Sequence, residues 1–295
     1  LGPLPEPAPG PEGLPPTEEE LRCTRTGQVL GDVPGSRTVF MENRDAFEAA
    51  RKERPANREA GLHFLREAVR CGRRETPLNL RVTPRRPHGE MEIQEGYWWS
   101  QKGVLNSGLL FLPWQAAGRL PVTVAVWEGG TVALDGHDRW LRGEVRARRA
   151  VLVVNLTGMG PLEPHPVNTD KLERNTLFRF ADDLLTLGDS FAALRTHDLL
   201  RALETLEGWG SFEPGPVRLY GHGKPGLYAA LAAALAGPEE GVTLEEPPPS
   251  YAEIVTSRYY DDRDVKTLLL PGLLERADWT DLIPARDGRI TSSNP

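Results

Sequence analysis

The chain has 295 residues, a formal charge of −7, and 39% hydrophobic against 26% charged residues, enough for one large α/β core or two small ones. A sequence pI near 5.5 argues against a nucleic-acid-binding role and gives no reason to expect attraction to anionic membranes. No apolar run approaches the ~18 residues of a membrane-spanning helix.

The sequence opens on Leu1 without a charged-then-apolar leader, so it reads as a processed or excised module whose localisation stays open. Leu1–Pro16 holds seven prolines and three glycines, a composition that cannot sustain a hydrogen-bond ladder. Residues 1–20 are therefore expected to be a linker or tail, in the manner of a tether to a further domain. Residues 21–89 read as a helical and extended lead-in. Within it, Thr17–Phe40 begins with a short helix and continues as extended pieces around Gly27, Gly31 and Gly35. Helical spacing starts at Arg44 with Phe47 and Ala50, breaks at Pro55, and resumes through Leu62, Leu65, Ala68 and Val69. Pro84–Gly89 marks a loop.

Residues 90–295 read as the main domain. Extended runs fall at Glu92–Trp99, Gly108–Leu112, Val122–Trp127 and Val151–Leu156, with a helix at Asp138–Arg148 between the last two. Helical stretches follow at Lys171–Leu187 and Phe191–Leu206, then a strand at Val217–Tyr220, a small-residue helix at Leu227–Leu235 and a strand at Val242–Glu245. Short apolar strands alternating with helices predict βαβ units. The fold class is thus α/β, a three-layer sandwich with a mainly parallel sheet, and its first two strands, joined without a helix, form an antiparallel edge hairpin. Trp98 and Trp99 point to opposite faces and make no single stacking platform.

The segment Val217–Leu231 reads as strand, glycine-rich turn and helix. One reading is a nucleophile elbow, in which G-x-S-x-G places a serine on a sharp strand-to-helix turn. Aligned on Gly221-His222, the nucleophile position falls on Gly223, which has no side chain to attack an ester. A second reading takes Gly221, Gly223 and Gly226 as a dinucleotide G-x-G-x-x-G, with Glu245 or Glu246 as ribose ligand. The ~50 residues that follow are too few for the remaining strands of a dinucleotide sheet. A third reading is a tight turn without a ligand.

A triad in the order nucleophile, acid, histidine needs a late histidine. The six histidines are His63, His88, His137, His165, His197 and His222, and none follows the turn. Glu245, Glu246, Asp261, Asp262 and Asp264 stand in the acid region. Glu128-Gly129-Gly130, after the Val122–Trp127 strand, has the composition of an oxyanion loop or of any tight turn; the same holds for Gly158-Met159-Gly160. His222 and Lys224 could hold an anion at the helix N-terminus, and Lys224 could act as an unusual base or nucleophile. Glu163-Pro164-His165, His197-Asp198 and His137-Asp138 lack metal-ligand spacing. Cys23 and Cys71 read as separate thiols and are too few for a thiolate zinc site. Neither a metal nor a cofactor is expected.

Four segments in order, Cys23–Val29, Leu194–Leu203, the glycine turn, and Leu270–Leu274 before Asp278, resemble the acetylxylan esterase and dienelactone hydrolase branch of the α/β hydrolases. More narrowly, they resemble the second of two such domains in tandem bacterial proteins. The resemblance spans roughly Cys23–Ile290. It implies a carbohydrate-ester ligand class, a serine nucleophile that Gly223 does not supply, and a last sheet strand within Arg286–Pro295. The expected function is a hydrolase-fold module without the Ser-His-acid triad, partnered by an upstream esterase domain. The alternatives are an ester hydrolase with a non-standard catalytic group, and nucleotide binding through Gly221–Gly226.

Overall fold

The computed structural model describes residues 17–74, 76–164, 176–263, 265–283 and the backbone of 288–291. The chain divides into two compact units, Leu1–Glu48 and Ala49–Pro295. In the first, α1 (Val29–Asp32) is a single turn. It is held by the backbone N–H and hydroxyl of Thr26, which both donate to Asp32 at 2.6 and 2.7 Å. Gly31 thus lies in a helical turn, not in the extended piece expected there, because the Asp32 carboxylate gives the preceding turn its donors' partner. A longer helix, α2 (Val39–Glu53), starts in this unit and ends in the next.

In the second unit Pro55 ends the helical run as expected. Asn57 then opens α3 (Arg58–Arg70), its side chain accepting from the N–H of Ala60 at 3.0 Å. The remaining elements are β1 (Arg81–Val82), β2 (Arg86–His88), β3 (Met91–Gln101), β4 (Val104–Pro113), β5 (Arg119–Val126), α4 (Asp138–Arg146), β6 (Ala150–Asn155), α5 (Thr176–Thr186) and α6 (Phe191–Thr205). They continue as β7 (Glu213–His222), α7 (Gly226–Ala236), β8 (Val242–Glu245), α8 (Tyr251–Thr256), α9 (Val265–Leu268), α10 (Trp279–Leu282) and β9 (Gly288–Thr291). The strands form one sheet in the order β1-β3-β4-β6-β5-β7-β8-β9, with β2 also paired to β3. From β6 to β9 every pairing is parallel. β3 and β4 pair antiparallel, as the missing helix between them requires, and β4 also joins β6 antiparallel.

The sheet is covered on both faces. Alternate residues of the central strands enter different cores: Val122, Val124, Leu152 and Val154 pack with α3, α6 and α7, whereas Ala125, Val151 and Val153 pack with Leu141 and Val145 of α4. This explains why Ala150–Asn155 is buried at every position and reads as an unbroken apolar run. The result is the three-layer α/β sandwich of the sequence reading.

Some expectations need correction. Pro84–Gly89 is not all loop, since Arg86–His88 pairs with Met91–Ile93 as β2; its Pro87 is tolerated because an edge strand can do without one donor. The strand expected at Val217–Tyr220 begins at Glu213, through Pro214 and Pro216, on the end of β5. The helix expected from Lys171 is described from Thr176, and its first five residues lie outside the described residues.

α7 is hydrophobic nearly all round and almost wholly buried, rich in alanine so that it can lie close to β7 and β8. The approach is tightest at Gly221, where a Cβ would stand 2.6 Å from the Cα of Gly226 and 2.9 Å from the Cβ of Ala229. Two glycine-to-alanine changes should therefore move stability in opposite directions. Gly143, inside α4 with open space around it, gains helix propensity, and Gly143→Ala should stabilise by about 0.5–1 kcal/mol. Gly221→Ala must push α7 off the sheet and should cost about 3 kcal/mol. Urea unfolding midpoints of the two variants check both signs.

Candidate functional site

β5 stands at the switch point of the sheet. The chain leaves it for β6 on one side and returns to β7 on the other. Open α/β sheets bind ligands at the carboxyl ends of strands at such a point. A cavity of about 630 Å³ lies there, lined by Glu128 and His137 from beyond β5, His222, Gly223 and Lys224 from the end of β7, and Glu246 from the end of β8. Its far wall is the segment that follows β8, including Pro248, Ile254, Tyr259 and Tyr260.

The strand-to-helix turn has its vertex at Gly223, in the left-handed conformation at φ +66°. Its N–H donates to the carbonyl of Glu245 at 2.9 Å, and the N–H of Gly226 donates to the carbonyl of Gly223 at 3.0 Å. The position is open: a Cβ at Gly223 would meet nothing closer than Oε1 of Glu128, 3.9 Å away. Thus the carboxylate of Glu128 faces the vertex. Glu128 makes no hydrogen bond or ion pair with a described residue.

The neighbouring groups are engaged. Lys224 donates from Nζ to the carbonyl of Arg263 at 2.6 Å and lies 3.4 Å from Asp261. The side chain and backbone of Arg263, with Lys224 adding to them, hold the Asp261 carboxyl well below the usual carboxylate range. Glu245 accepts from the hydroxyl of Tyr220 at 2.6 Å, and burial first, then this bond, pushes the Tyr220 phenol far above its ordinary range. Glu246, at φ +49°, brings Oε2 to 3.8 Å from Nε2 of His222. His222 meets His137 edge-on with centroids 5.0 Å apart, and His137 stacks on Trp127 at 4.1 Å.

The loop Glu128-Gly129-Gly130 is shaped by packing. The N–H of Gly130 donates to the carbonyl of Trp127 at 3.1 Å, and a Cβ there would stand 2.3 Å from Oδ1 of Asn155. The same Asn155 oxygen accepts from the N–H of Thr131 at 2.8 Å. Gly158 and Gly160 form a second tight turn, and the Gly158 carbonyl accepts from Arg195 at 3.3 Å. Asp262 is exposed, while Asp264 and His165 lie outside the described residues. His63, His88 and His197 do not line this cavity. Cys23 and Cys71 are free thiols, and no group of three metal-ligating side chains converges among the described residues.

Sequence reasoning gathered the turn, Glu128 and Glu246, but did not place His137 or the wall from Pro248 to Tyr260 here. Their signal was available in the run Glu246–Pro249 directly after β8. Three consecutive prolines at the carboxyl end of a strand cannot continue the sheet and must cross its end.

Burial, and after it the charge of His222, lowers the pKa of His137 below the ordinary histidine value, with Glu245 opposing. The unfolded chain therefore takes up this proton first on acidification. Stability from the neutral ring should be intact above about pH 6.5 and decline progressively below it. An NMR titration should place the His137 imidazole below the ordinary histidine value, and His137→Gln should flatten the stability profile below about pH 6.5.

No protein-family model and no curated protein sequence matches the chain. Solved structures do. A candidate acetyl xylan esterase from Bacteroides fragilis aligns with a TM-score of 0.59 at 13% identity, covering 93% of this chain and 76% of that one. The acetyl xylan esterase from Paenibacillus sp. R4 aligns at 0.48 and 16% identity, covering 88% and 78%, and a glucuronoyl esterase from Solibacter usitatus at 0.46 and 19%, covering 65% and 58%. At 13% identity the first likeness shows the fold alone, a three-layer α/β-hydrolase-like sandwich.

Proposed function

We propose that the second unit is a ligand-binding module of α/β-hydrolase fold that does not use Ser-His-acid chemistry, and that it serves an esterase domain of the same protein. The observation that carries the reading is Gly223. The vertex that would project a nucleophile has the left-handed backbone for one, at φ +66°, and no side chain. The carboxylate of Glu128 stands 3.9 Å from where a Cβ would be and would repel an oxyanion forming there.

The ligand class is a carbohydrate or its ester. The likeness to the Bacteroides fragilis protein supports this by analogy of fold. The cavity adds a physical reason, because Tyr259 and Tyr260, residues 80% and 46% exposed, line it and are suited to stacking on a sugar face. The proline-rich composition of Leu1–Pro16 supports a tether to the esterase partner. Dinucleotide binding is disfavoured, because the N–H of Gly223 is spent on the carbonyl of Glu245, that of Gly226 on the carbonyl of Gly223, and the Glu245 side chain on Tyr220.

The chain should show no p-nitrophenyl acetate hydrolysis above background, and Lys224→Ala and His222→Ala should leave that rate unchanged. Turnover abolished by either substitution would replace the reading with an ester hydrolase using an unusual group. In a fluorescence titration with acetylated xylo-oligosaccharide, Trp127 beneath His137 should report saturable binding. Tyr260→Ala should weaken it about three- to tenfold, the worth of a ring contact; a titration without saturation would remove the carbohydrate assignment.

A further inference from the structure

A second cavity, of about 980 Å³, is lined by the C-terminal part of α3, the segment that follows it, and one side of α6. It shares no lining residue with the cavity at the turn. Five arginines line it, Arg66, Arg70, Arg73, Arg74 and Arg201, with Glu204 as the one carboxylate among its described lining residues. In a chain of net charge −7 this is a local reversal of sign.

Two of the arginines are fixed by the fold. Arg73, whose side chain is only 8% exposed, donates from both terminal nitrogens to Asp189. Arg201 donates to the carbonyl of Thr76 at 2.7 Å and pairs with Glu204. The guanidiniums of Arg66, Arg70 and Arg74 make no hydrogen bond or ion pair with any described residue. Arg66 and Arg70 stand one turn apart on α3, an arrangement of like charges that costs a few tenths of a kcal/mol on a helix. The helix dipole accounts for a cation in the last turn at Arg70. It does not account for five arginines from two helices and a connecting segment around one cavity.

We propose that this cavity binds a small phosphorylated ligand through Arg66, Arg70 and Arg74. Guanidinium forks match the oxygens of a terminal phosphoryl group, and three forks can serve its three oxygens. Val69, Pro77, Leu200 and Leu203 line the same cavity and supply apolar surface for the organic part of the ligand. Arg73 and Arg201, held by their carboxylate partners, keep that side of the site rigid. His197 also lines it, with Nε2 3.2 Å from the carbonyl of Ser100. Burial holds its imidazole below the ordinary histidine range against the Ser100 carbonyl and Asp198, and the charges of Arg73 and Arg201 add to the lowering. An anion among these arginines therefore raises the His197 pKa, which gives a second readout.

The test is calorimetric titration of the whole chain with pyrophosphate and with inorganic phosphate, at low and at near-physiological salt. Saturable binding of one pyrophosphate is expected, weakened by roughly tenfold or more in each of Arg70→Ala and Arg74→Ala. Arg146→Ala, which removes an arginine paired with Glu90 outside this cavity, should leave it unchanged. The His197 resonances should titrate at higher pH in the complex. Absence of saturable binding, or equal weakening by Arg146→Ala, would overturn the proposal. Glucuronate bound as tightly as pyrophosphate would overturn the phosphate assignment in favour of a carboxylate ligand. Circular dichroism of the variants separates a binding defect from a folding one.

Discussion

The contact on which this molecule turns is the approach of α7 to β7 at Gly221. A strand that ends on a sheet and a helix that starts four residues later can share one vertex only if their backbones nearly touch, and here no Cβ fits between them. The closeness fixes the rest. It forces the chain through the left-handed conformation at Gly223 and selects alanine along α7. It also sets the ends of β5, β7 and β8 side by side, so that the residues just beyond them line one cavity. The local backbone and the site are therefore consequences of one packing constraint.

A second constraint works from α6. Helices seldom bury charged side chains, yet Arg195 and Asp198 are 5% and 0% exposed. Each is matched to backbone and side-chain groups at several places. Arg195 donates to the carbonyls of Thr157 and Gly158 and to the hydroxyl of Tyr228, which in turn donates to the carbonyl of Thr267. Asp198 accepts from the N–H of Thr157 at 2.8 Å and from the hydroxyl of Ser100. One face of α6 thereby ties together the turn after β6, the end of β3, α7 and α9. Burying these charges is tolerable because each is hydrogen-bonded on arrival.

Much of this was legible in the chain. The alternation of apolar strands with helices predicted the three layers, and Pro55 and the β3–β4 connection were read from residues whose conformational options are few. The segment Leu194–Leu203 stood out by resemblance alone. Its physical content, two buried charges latching separate elements, is a property of long-range contacts that no local pattern carries. The cavity wall was missed for the same reason. Tyr259 and Tyr260 lie far along the chain from Glu128, and only the crossing of the prolines after β8 brings them opposite. The strand start at Glu213 was hidden by Pro214 and Pro216, which read as loop until β5 is seen to offer its end as a partner.

The tightness of the turn bears on how its chemistry should be read. A sharp elbow with positive φ is often taken as a mark of catalysis, because a nucleophile there is held away from its own backbone. In this chain the same geometry follows from seating α7 against the sheet, and it would be required whether or not a reactive group stood at the vertex. The glycine at 223 meets that requirement with the least strain, since any other L-residue at φ +66° would cost on the order of 1–2 kcal/mol. An active enzyme accepts that strain as a cost of presenting its nucleophile. Where no nucleophile stands at the vertex, glycine is the residue the backbone itself prefers.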